Sequence, residues 1–261
     1  MFYLFHALLP DRTRETNQIM LQTLVSVLNQ RGLIFSPLQF MLDFETAMIS
    51  SITVIFSSAV IEGCYFHFTQ AIWRNVLRIG LSSFYENSNV LLVIKGLMAL
   101  PLIPLDKISD GMGYIESIIP PTDHPSRPFL DHLLIYFNRI WLRGQFHPSM
   151  WNCHRNFNIR TMNHSEGWHH RLNDRVKRKH PDIYVLIAHL KIEKRTDKNR
   201  LLLYDNGHRV PQPEKKYRDL NRRIVQYTQE FEAERWSLYS FLEHSSCCVH
   251  NPTISFSQAD Q

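Results

Sequence analysis

The first eighty residues repeat one pattern: a short apolar run of strand length followed by a segment with helical spacing. That alternation constrains the fold more than any other feature, because successive strand-then-helix units bury both faces of a parallel sheet under their crossover helices. Residues 2 to 9 are the first run, stopped by Pro10, and from Thr13 to about Asn29 the residues Ile19, Leu21, Leu24, Val25 and Leu28 recur at helical spacing until Gly32. Leu38 to Leu42 is the second run and ends at Asp43, with a helix from Glu45 to Phe56. Ala59 to Cys64 is the third, followed by a helix from His67 to Ile79 that Gly80 closes.

From Ser88 to Phe146 the pattern changes to helical segments broken by six prolines, with no strand among them. Three further helices are expected beyond Trp151, at about 164–179, 181–198 and 213–243. A Ser-, Cys-, Asn- and Gln-rich tail follows. With 44% hydrophobic residues over 261 positions, the chain has enough apolar material for one large core or two modest ones. Four cysteines at irregular spacing do not make a disulfide framework, which points to a reducing compartment. The apolar stretch from Ala47 to Val60 is too short to span a bilayer, so no membrane partner is expected.

The charge is uneven. Residues 160–225 hold 17 Lys and Arg against 8 Asp and Glu, a net +9, and the rest of the chain holds 12 against 16, a net −4. A polyanion therefore meets the C-terminal half first. Arg171, Arg175, Lys177, Arg178 and Lys179 gather on one expected helix, and Lys215, Lys216, Arg218, Arg222 and Arg223 on the last. Phosphate contact and a solvated helix face explain such clusters equally well.

Three groups of residues offer chemistry. Asp43 falls at the carboxyl end of an expected parallel strand, where such sheets present side chains to ligands, and Glu45 follows two residues on. Glu166 lies near the start of a later helix; carboxylates from a strand end and a helix suit a pair of hard divalent ions such as Mg²⁺. An N-capping role is the commoner use of a strand-end Asp before a helix. Cys64 and His67 have a C-x-x-H spacing that suits zinc, with His154, His169 or His170 as distant partners. A buried structural cysteine beside a helix-capping histidine is the more frequent case.

Taken in order, ALLPDRTRET (7–16), LDFETAM (42–48), GCYFHFTQAIWR (63–74), GLMALPLIP (96–104), the Trp-Asn pair at 151–152 and RTMNHSEGWHHRLN (160–173) resemble the Mutator-like (MULE) transposase domain and its C-terminal extension. The resemblance covers most of the chain. It implies an RNase H-like α/β fold with an all-helical insertion, a C-terminal helical region and a DDE triad that cuts and joins DNA with Mg²⁺. On this reading residues 1–87 are a partial RNase H-like core and 88–150 the helical insertion. Residues 151–198 complete the core with the Glu-bearing helix, and 199–261 are the extension and tail. Asp43 resembles the second metal-binding carboxylate, Glu166 the third, and Cys64 with His67 the family's C-x-x-H pair.

The sequence departs from the family in two places. Met162 stands where the first of two asparagines is usual, next to the motif that holds Glu166. No residue matches the first aspartate, because that strand lies upstream of ALLPDRT in the family, so the chain reads as an N-terminally truncated member without catalysis. Asp11 begins a helix and is no substitute. The alternative is a domesticated DNA-binding or scaffolding protein. Either reading implies DNA as partner and a nuclear location. The open strand edge left by a missing neighbour adds self-association.

Overall fold

The computed structural model describes residues 5–157, 163–177, 181–209, 212 and 214–249; of residues 163–167, 169 and 170 it describes the backbone only. It is mixed α/β and mostly helical, with a small parallel sheet. Helix α1 (Arg14–Gln30) starts where Thr13 turns its hydroxyl back to accept from the Thr16 N–H, and Asp11 in turn accepts from the Thr13 N–H and hydroxyl. This is an ordinary N-cap supported by an Asx turn. Gly32 ends the segment with a φ of +72°, which costs a glycine least.

Strand β1 (Gln39–Leu42) leads through α2 (Thr46–Ile55) to β2 (Val60–Gly63), and the two strands pair in parallel with Gln39 opposite Val60 and Leu42 opposite Gly63. A crossover helix between parallel strands is what the repeated units required. Helix α1 packs on α2, where the buried Ser51 hydroxyl donates to the Arg14 and Ala47 carbonyls at 3.0 and 2.7 Å. Helix α3 (Tyr65–Arg78) leaves β2 directly.

The expected first strand does not form among residues 5–9. There His6 stacks on Trp168 at 5.2 Å, and Phe5, Leu8 and Leu9 stay largely exposed. An apolar run becomes a strand only where an edge receives it, and this one is held by an aromatic contact instead. Among the described residues the sheet therefore has two strands. The RNase H-like fold is not established by so small a sheet.

Helices α4 (Ser88–Ala99), α5 (Ile108–Ser117), α6 (Arg127–Phe137) and α7 (Pro148–Trp151) carry the main core. Val90, Val93, Ile94, Leu97 and Met98 of α4 have no exposed surface, so this helix is enclosed by its neighbours. Beside it Phe68, Phe137, Trp141 and Trp151 pack ring to ring, with Phe68 stacked on Trp151 at 5.1 Å. The Trp151 indole N–H donates to the Trp141 and Phe146 carbonyls at 2.9 and 3.1 Å, so its polar edge is satisfied inside the core.

Helices α8 (Asn163–Val176) and α9 (Ile183–Asp205) pack on each other, and α10 (Lys215–Glu232) and α11 (Leu238–Cys247) follow. Helix α9 runs past the expected end at 198 and closes at Gly207, whose φ is +84°. The single helix expected over 213–243 is two. Glu234 adopts a φ of +56° and Ser237 caps a new start by accepting from the Ser240 N–H. The break lets α11 turn back, bury Phe241 and Leu242 and pack against α4, so the C-terminal helices share one core with the middle of the chain.

Candidate functional site

The parallel pair brings the expected site residues of the first half to one end. Cys64 donates its N–H to the Leu42 carbonyl at 2.7 Å, which sets the ends of both strands level and leaves Asp43 and Cys64 as the next residues of each. Helix α3 then begins, with Cys64 as its N-cap residue and His67 in its first turn. The site is built from a strand end and a helix start.

Asp43 is exposed and makes no hydrogen bond or ion pair among the described residues. It does not cap α2: the N-cap position belongs to Glu45, whose side chain makes no capping bond. The capping role that is usual for such an aspartate is thereby removed. Asp43 does act on His67. Burial holds the His67 pKa below the ordinary histidine value, the Asp43 charge works against that lowering, and the Arg74 guanidinium reinforces it.

Cys64 is fully buried where β2 meets α3. Of the distant partners named for zinc, His154 is engaged elsewhere: its Nδ1 lies 2.7 Å from the Leu102 carbonyl and its Nε2 is 3.6 Å from Glu232. The His169 and His170 side chains lie outside the described residues, as does that of Glu166, although position 166 falls within the helical backbone of α8. Among the described residues no three His, Cys, Asp or Glu side chains converge as a metal site would need. Glu62 lies beside Met41 in the ladder, and the Asn156 amide donates to it at 3.3 Å. A hard divalent ion takes about six oxygen ligands, and of these residues only Asp43 and Glu45 have carboxylates with no hydrogen bond or ion pair among the described residues. The described residues do not fit a complete metal centre, and no chemical step is routed through one.

One residue of the site was missed in the sequence. Gly63, opposite Leu42, is buried against the Phe44 ring, which is held edge-on to Trp141 at 4.7 Å and to Phe146 at 5.0 Å. A Cβ at position 63 would overlap that ring, so the ring must shift against Trp141 and Phe146 to admit it. Gly63→Ala is therefore expected to cost about 1–3 kcal/mol of stability, as overpacking does. The check is a chemical denaturation midpoint; a loss under a few tenths of a kcal/mol would show that Phe44 yields freely. A glycine at the end of an apolar strand was the available signal.

The basic residues divide by geometry. Arg175 pairs with Glu193, a buried carboxylate on α9, and so holds α8 to α9 rather than facing solvent alone. Arg222 pairs with Asp219 at 3.2 Å. Arg171, Lys177, Lys215, Lys216, Arg218 and Arg223 are exposed and form no ion pair among the described residues. Arg178 and Lys179 lie outside them. On α10 the cations at 215, 218 and 222 point away from the packed stripe of Leu220, Ile224, Tyr227 and Phe231. No helix among the described residues is long and apolar enough to cross a membrane.

Compared with protein-family models, with curated proteins and with solved structures, the chain matches none.

Proposed function

We propose that this chain derives from a MULE transposase and binds duplex DNA without cutting it. The observation that carries the first half of the reading is Asp43: an exposed carboxylate at the carboxyl end of a parallel strand, not used as a cap, beside a histidine in the first turn of the next helix. Side chains placed there face the region that parallel sheets use for ligands. The β1–α2–β2 crossover and the helical stretch between Asp43 and Glu166 support the same reading. Asp43 and Glu166 are proposed as what remains of a divalent-cation site, with Cys64 and His67 as the family's structural pair and a secondary option for zinc.

The three carboxylates of such a site act together, two ions being held so that attacking and leaving oxygens are both stabilised. The 261 residues offer no match to the first of them. A site formed by the other two alone would hold metal weakly, which is the ground for proposing that these residues by themselves do not cut. The DNA-binding half rests on the exposed cations of α10 and would place the protein in the nucleus. A domesticated scaffold is the second reading, favoured by the Arg175–Glu193 pair, which spends one of the expected phosphate contacts on holding two helices together.

Two assays on the intact chain test the proposal. With Mg²⁺ or Mn²⁺ it is expected neither to nick nor to join duplex DNA, while retaining the duplex by electrostatic contact. Metal-dependent cleavage abolished by Asp43→Ala and by Glu166→Ala would overturn the inactive reading. Absence of duplex binding at low ionic strength would overturn the DNA-binding reading.

A further inference from the structure

Strand β1 has one used edge and one open edge. The Val60 N–H donates to the Leu38 carbonyl at 2.9 Å and the Cys64 N–H to the Leu42 carbonyl at 2.7 Å. With the parallel register of Gln39 opposite Val60, these bonds turn the backbone groups of Leu38, Phe40 and Leu42 toward β2. The N–H and C=O of Gln39 and Met41 consequently point the other way, and among the described residues no strand meets them. Leu38 is 83% exposed and Ile34, just before the strand, 91%. Gln39-Phe40-Met41-Leu42 carries no charge, and it lacks the lysines or prolines that usually guard an exposed edge.

We propose that two copies of this chain join through the open edges of β1, antiparallel and centred on Phe40. A twofold axis at Phe40 sets Gln39 opposite Met41 of the second copy, so the outward N–H and C=O groups of both are exchanged. Phe40 then faces its own copy across a non-hydrogen-bonded pair, the closer of the two antiparallel spacings and a favourable place for two aromatic rings. Leu38, exposed in the single chain, falls opposite Leu42. Asp43 falls opposite Pro37, so the two aspartates lie at opposite ends of the ladder and do not oppose each other.

The edge is complementary to its own copy in the register above, and charge does little to oppose that occupant. Residues 1–87 hold five Arg and Lys against six Asp and Glu, so the part of the chain that carries the edge is near neutral and repels its own copy little. The result is a four-stranded sheet of order β2-β1-β1-β2. A lone pair of strands is marginal and a wider sheet is not.

The test is the mass of the intact protein in solution as a function of concentration, measured for the wild-type chain, Met41→Pro and Leu38→Lys. Proline at position 41 removes an N–H that β2 does not use, so the β1–β2 ladder survives while the outer edge is blocked. Symmetry removes two donors at once, so the dimer dissociation constant is expected to rise roughly tenfold or more. Leu38→Lys places a charge on the same edge and should act in the same direction, with the helical circular dichroism signal unchanged in both variants. In a Cys247→Ser background, Phe40→Cys should cross-link to itself on oxidation, since such pairs bring Cα atoms within disulfide range. A wild-type chain that stays monomeric to its highest soluble concentration would overturn the proposal. So would a dimer that both edge variants leave intact.

Discussion

Trp151→Ala is expected to lower the folding stability by about 3–5 kcal/mol, the range for removing a large aromatic from a packed core. Trp151 is 1% exposed and lies against Phe68 and Phe137, and Phe68 in turn touches Trp141. Alanine leaves a cavity among rings that cannot collapse together, and it also strips the Trp141 and Phe146 carbonyls of the indole donor they share. Two buried acceptors without a partner add to the cavity term. Trp151→Phe separates the two effects, because it keeps most of the ring volume and loses the donor; about 1–3 kcal/mol is expected for it. Urea denaturation followed by circular dichroism gives both values. A loss below about 1 kcal/mol for alanine would mean that this cluster is not the centre of the fold. Domains of ordinary stability hold only about 5–15 kcal/mol in total, so a loss of this size removes a large fraction of it and should lower the denaturation midpoint clearly.

The sequence told helix from strand where a segment had to solve its own burial problem. The crossover unit was legible because strand length, Asp43 and the spacing after Glu45 all agreed, and β1, α2 and β2 fall within a residue or two of their expected places. Positions whose structure depends on distant partners were not legible. Residues 5–9 are as strand-like as Leu38–Leu42, yet His6 stacks on Trp168 more than 150 residues away and no strand forms in that segment. The break between α10 and α11 leaves no proline or glycine to mark it; it follows from the left-handed turn at Glu234 and the cap at Ser237, which bring Phe241 against α4. The same limit applies to the charges. Arg175 and Arg171 read alike in the sequence, and a buried carboxylate on α9 distinguishes them. The place of Asp43 just past the end of a parallel strand was legible because it depends on strand direction, a local property; the position of the Glu166 carboxylate lies outside the described residues.

Duplex DNA binding by the intact chain is expected to fall by roughly 10²- to 10³-fold between 50 and 200 mM salt. The magnitude follows from counting. Each phosphate neutralised by a lysine or arginine contributes about −0.9 to the slope of log affinity against log salt. Of the cations named on these two helices, six are exposed and form no ion pair among the described residues, Arg171 on α8, Lys177 just after it and four on α10, and four or five of them are proposed to meet the duplex at once. That gives a slope of about −3.6 to −4.5, and the affinity ratio follows from a fourfold change in salt. Helix α10 should carry most of it, because its apolar stripe fixes the orientation of the cationic face while Ile224 and Thr228 stay buried. Replacing Lys215, Lys216, Arg218 and Arg223 together by glutamine should flatten the slope by about 3 to 4, without a change in folding, since these side chains are exposed. Arg175→Gln should act differently: it leaves Glu193 buried without its partner, so it lowers stability more than it alters the slope. Titration of a fluorescent duplex at several salt concentrations measures all three proteins. A slope shallower than about −1 for the wild-type chain, or one that the fourfold substitution does not change, would show that the basic face of α10 is solvated surface and that DNA is not its partner.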